Sequence, residues 1–127
     1  KTINIEALTM IDMAKKEILP AAAKYIKDLA KTAELAKSCG AETVFEDETV
    51  KEVSSLVTEM YKALGTLEAD VQKVHTIEDT QEIANFFHDT IFADMGALRV
   101  PADKIETLVG KEYWPYPTYS DLLFYVK

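Results

Sequence analysis

The sequence predicts an all-α fold, an antiparallel bundle of three to four long helices with a proline- and aromatic-rich C-terminal tail. The clearest reason is a seam. Val50, Val53, Val57, Met60, Leu64, Leu67, Val71 and Val74 recur in steps of three and four without a break, the a/d pattern of a helix that packs along its whole length. Composition supplies another reason, because only 4 Gly and 4 Pro occur in 127 residues, too few to punctuate a many-stranded β fold. Apolar stripes at helical spacing also flank the seam on both sides. Amphipathic helices with short connections become antiparallel neighbours with their stripes facing inward. Residues 1–127 are long enough for one such core and read as a single helical domain.

The first stretch runs from Ile5 to Ser38, with Leu8, Ile11, Ile18, Ala22, Tyr25, Leu29 and Ala36 on its expected inner stripe and Lys15 and Thr32 as polar interruptions. Pro20 removes an N–H and crowds the preceding turn, which predicts a kink near Ile18–Leu19 or a break into two helices. Gly40 is a natural stop, since a helix often ends on a left-handed residue. Residues 41–48 read as a connector, with capping-box spacing at Thr43/Glu46 and again at Thr49/Glu52. Gly65 sits beside the seam at a cost of roughly 1 kcal/mol relative to Ala.

His75-Thr76 reads as a turn, with Thr76 capping a third helix whose first turn holds Glu78 and Asp79. Its inner stripe is Ala84, Phe87, Ile91, Met95 and Leu98. Pro101 interrupts, so residues 102–109 form either a fourth short helix or the third continued past a kink. From Gly110 the chain changes character, and Pro115 and Pro117 push their predecessors toward extended backbone. Ser120-Asp121 has the chemistry to cap a last turn through Leu122, Leu123 and Phe124.

A formal charge of -8 repels phosphate backbones and anionic lipid surfaces, which argues against nucleic-acid and membrane partners. Cys39 is the single cysteine, so no internal disulfide is available, as in a reducing compartment. No apolar run reaches membrane-spanning length. The sequence starts at Lys1 with helical patterning already under way, and it reads as part of a longer chain.

Chemistry-bearing groups are sparse. A di-metal bundle needs Glu-x-x-His on two helices, but Asn85 precedes His88 at that spacing and Gln72 precedes His75. His75 with Glu78 or Asp79 has the spacing of a single-metal site, yet a solvated imidazole near a helix end explains it more simply. His88-Asp89 invites a phosphotransfer reading, against which Phe86, Phe87, Ile91 and Phe92 imply a crowded setting. Cys39 has no base near it in sequence and reads as a half-buried structural thiol. No catalytic, cofactor-binding or metal-ligating residue is therefore assigned. The tail supplies a candidate interface in Trp114, Tyr116, Tyr119 and Phe124, because aromatics with a polar handle suit interfaces. A tail that folds back and plugs its own bundle fits the same residues.

Three segments together resemble the C-terminal region of type III glutamine synthetases. They are Ile3–Ala22 (INIEALTMIDMAKKEILPAA), Asp94–Val100 (DMGALRV) and Leu108–Phe124 (LVGKEYWPYPTYSDLLF), in matching order and separation across essentially the whole chain. Pro101 departs from the smoother helix expected there. The resemblance implies a parent enzyme that joins ammonia to glutamate with ATP and Mg, in large homo-oligomeric rings in the cytoplasm. The family's nucleotide and metal ligands lie on an upstream catalytic domain, and none of those motifs occurs here. This segment would then be a structural and assembly region, contacting the catalytic domain and neighbouring subunits, with no cofactor of its own. Apolar surface around Trp114 or on the first helix would mark the contacts. Two other readings are a stand-alone helical interaction module, its seam taking a partner helix, and a histidine phosphotransfer bundle using His88.

Overall fold

Pro20 does bend the first helical stretch, and the bend is a widened turn. In the computed structural model, which describes residues 2–117, α1 (Thr2–Met13) passes through a π-helical turn at Ala14–Ile18 into α2 (Leu19–Ser38). The Leu19 N–H bonds to the carbonyl of Ala14, five residues back, one residue before the proline that has no N–H to give. The remaining elements are α3 (Val44–Lys73), a 3-10 turn at Val74–Thr76, α4 (Thr80–Phe86), a second π-helical turn at Phe87–Ile91, and α5 (Phe92–Leu108). The result is an antiparallel bundle of three helical rods, with no strand among the described residues.

The seam closes within the chain. Its helix, α3, lies between α2 and α5 and packs against both. Val53, Met60, Leu64, Leu67 and Val71 are buried. Val50, Val57 and Val74 are only half-buried, and Leu56, outside the expected seam, is buried instead. From the third rod, Ile91, Met95, Leu98 and Ile105 fill the other side, while Ala84 is exposed and Phe87 half-buried. Each fully buried aliphatic side chain contributes about 1.5–3 kcal/mol. Lys15, one of the two polar interruptions of the first stretch, reaches across to Glu68 on α3 at 2.9 Å on the surface.

The first rod buries only part of its expected stripe: Ile18 and Ala22 are buried, Ile11, Tyr25, Leu29 and Ala36 are half-buried, and Leu8 is exposed. Ala7, Ala14, Ile18, Ala22 and Ala33 face the core, whereas Leu8 and Leu35 are exposed. The π-helical turn adds one residue, so a stripe drawn at a constant period falls out of phase across it.

Helix ends also differ from expectation. α2 stops at Gly40 as expected (φ 82), with the Gly40 N–H on Lys37 and the Ala41 N–H on Ala36. The connector is then only residues 41–43, because α3 begins at Val44 and Thr49 lies inside it. Thr43 occupies the N-cap, but its hydroxyl donates to the Asp47 carboxylate at 2.9 Å instead of accepting from the backbone. The third rod is capped by Asp79, which accepts the Glu82 N–H at 3.0 Å. Thr76 ends the 3-10 turn and donates to the Lys73 carbonyl. Pro101 stops nothing: α5 runs through it with the ring fully buried. Burying the ring offsets the helix bond it removes.

Candidate functional site

Residues 110–117 fold back along the first rod as a strap. Gly110 starts it where space is short, since a Cβ there would lie 3.3 Å from the Tyr25 ring and 3.2 Å from that of Tyr113. Bonds from the Tyr113 N–H to Gly110 and from the Trp114 N–H to Lys111 make the turn. Tyr113 then tilts against Tyr25 with centroids 5.1 Å apart, and its hydroxyl donates to the Asp28 carboxylate at 2.6 Å. Trp114 and Tyr116 meet edge to face at 6.1 Å and pack against the core of their own chain, each half-exposed. Of the candidate interface residues, Tyr119 and Phe124 lie outside the described residues, as does the expected last turn at 120–124.

Hydrogen bonding and burial, helped by nearby carboxylates, hold the strap's phenols in their neutral form. The bond to Asp28, then burial, pushes Tyr113 up to about 12. Burial, then the Glu17 and Asp12 carboxylates, pushes Tyr116 up to about 12, and its hydroxyl is buried without a hydrogen-bond partner. Tyr113→Phe removes the charge-assisted bond and is expected to lower the Tm by about 2–5 °C and speed amide exchange at Gly110–Trp114. An unchanged melting curve and exchange pattern would show that the bond does not hold the strap. Sequence reading missed this anchor, because Tyr113 and Asp28 are 85 residues apart with no shared spacing.

The other candidates stay separate. Cys39 is exposed, not half-buried, because it caps α2 at the hairpin tip beyond the core. His75 is exposed in the 3-10 turn. His88 is also exposed, where crowding was expected. The second π-helical turn rotates it outward to lie 3.0 Å from the Asp89 carboxylate, while Ile91 points into the core. Among the described residues no group of three or more His, Cys, Asp or Glu is placed to hold a metal ion. One carboxylate pair does meet across helices: Asp94 on α5 faces Asp70 on α3, and Asp94 Oδ2 is buried with no partner. No helix among the described residues is long and apolar enough to cross a membrane.

Comparison with known proteins agrees with the resemblance read from the sequence. Residues 1–37 match the glutamine synthetase C-terminal domain. Over 126 residues the chain is 36% identical to a glutamine synthetase of Butyrivibrio fibrisolvens, covering 98% of this chain and 18% of that protein. It is 24% identical over 130 residues to a type-3 glutamine synthetase of Dictyostelium discoideum, again covering 98% of this chain and 18% of that protein. A glutamine synthetase of Bacteroides fragilis is 26% identical over 132 residues, covering 96% and 18% respectively. The chain thus spans about a fifth of the length of the curated relatives it matches. No solved structure matches it.

Proposed function

This chain is similar from end to end to the C-terminal region of glutamine synthetases of the type-3 kind, and on that premise we propose that it is the structural and assembly segment of such an enzyme. The observation that carries the reading is the coverage: nearly all of this chain aligns to 18% of each relative, so most of the relative's length lies elsewhere. The parent would ligate ammonia to glutamate with ATP and Mg bound on its catalytic domain, as a cytoplasmic homo-oligomer. This segment would contribute the bundle as a rigid body and Trp114, Tyr116, Tyr119 and Phe124 as contacts to the catalytic domain or a neighbouring subunit. Supporting that role, Trp114 and Tyr116 are fixed by the bundle yet keep part of their surface uncovered.

The test is a deletion of this segment from the full-length parent, read by light scattering and by glutamine formation. The expected result is a smaller particle with reduced turnover, while the isolated segment forms no glutamine. A deleted enzyme of unchanged mass and rate would sink the proposal. The stand-alone module is disfavoured because the seam it would offer to a partner helix is already filled by α2 and α5. The phosphotransfer reading keeps one supporting observation, the exposed His88, and incubation with a small phosphodonor followed by mass measurement tests it directly.

A further inference from the structure

The α2–α3 hairpin outruns the third rod. α5 ends at Leu108 beside Glu52 and Leu56, and the strap turns back at Gly110 along α2. The last turns of α2 and the first of α3 therefore form a two-helix tip. On it an open groove runs between the helices, with Ala30, Ala33 and Val50 as its apolar lining. The walls carry opposite charges at each level. Lys37 on α2 stands across from Asp47 on α3, 3.5 Å apart. One turn further from the tip, Glu34 on α2 and Lys51 on α3 line the same groove. Glu34 and Lys51 are exposed, and neither has an ion-pair partner among the described residues.

A groove with this pattern is complementary to itself. Turning a second copy about a two-fold axis parallel to the groove places its α3 wall over the first copy's α2 wall at the same level. Glu34 then meets the second copy's Lys51, Lys37 meets its Asp47, and both contacts occur twice, as a symmetric interface requires. The four groove charges sum to zero, whereas the whole chain carries -8, so local attraction on this face works against the chain's overall repulsion. We infer that the tip groove is a self-association surface that takes the same groove of a second copy of this chain. The contact is read from this chain's own surface and does not depend on the parent's reaction.

Sedimentation of the purified chain over rising concentration tests it. The wild type is expected to move from 14.2 kDa toward twice that mass, weakly, because the contact is small. Glu34→Lys places like charges opposite each other at two symmetric points, and Lys51→Glu does the same. Each should weaken association by about tenfold or more. Mixing the two variants re-creates opposite charges at both points and should restore association, as should the double charge swap. Both residues are exposed, so unchanged circular dichroism will confirm that the fold is intact. A wild type that stays at 14.2 kDa, or variants that associate like the wild type, would overturn the inference.

Discussion

Leu64→Asp is expected to unfold the chain instead of releasing a folded monomer. Leu64 is 2% exposed in the middle of α3, where α2 and α5 both close over the seam. The substitution removes a buried apolar side chain and puts a carboxylate in its place, with no cation available at that depth. Losing the leucine alone costs about 3 kcal/mol, as a truncation to Ala shows, and an unpaired buried carboxylate adds several more. A bundle of this size has about 5–15 kcal/mol in total. Circular dichroism should therefore show lost helicity, and Leu64→Ala should remain folded with a lower urea midpoint. Val57→Asp is the control on the same helix, since Val57 is half-buried and its side chain can lean toward water. If Leu64→Asp kept full helicity and merely lowered the particle mass, the seam would be an interface between chains, and the intra-chain core would be wrong.

The seam was legible because α3 is long, uninterrupted and packed on two sides, so its period survives in the residues. The exchange of Val57 for Leu56 is instructive. A strict heptad assumes one partner, but α3 has two, and the wider buried face takes in Leu56 while Val57 falls to its edge. The first rod was less legible for a related reason. Pro20 announced a disturbance, but nothing local says that the helix answers by inserting a residue, and that insertion shifts which side chains face inward. Hydrophobicity then misled, since Ala7 and Ala14 are buried and Ile5 and Leu8 are not. Thr76 and Asp79 are both good caps. The choice went to Asp79 because the 3-10 turn ends at Thr76 and Ile77 is already extended (φ -97, ψ 126). The surfaces were the hardest to read. Tyr113 with Asp28, Asp70 with Asp94, and the paired walls of the tip groove all join residues on different rods, and single-helix spacing carries no trace of them.

Asp94→Asn is expected to stabilise the chain at pH 8 and to flatten its pH dependence. Asp94 and Asp70 approach each other across the α3–α5 contact, and two ionised carboxylates there are both acceptors with no donor between them. A single proton converts the pair into a hydrogen bond. Burial, then the bond to Asp70 and its charge, raises Asp94 from 3.8 to about 7. The folded chain thus holds a proton that the unfolded chain has already released. The stability from this site is complete below about pH 4, falls as pH rises, and is gone once pH has passed through about 7. Water reaches part of the pair, so the gain from the asparagine at pH 8 should be about 1–2 kcal/mol, less than the full shift implies. Urea midpoints at intervals from pH 4 to pH 8 measure it. The wild-type midpoint should decline across that window from this site, and the Asp94→Asn midpoint should decline less, crossing above the wild type before pH 8. Parallel curves for the two proteins would mean that Asp94 ionises freely in the folded state, and the carboxylate pair would then have no part in the acid–base behaviour of the bundle.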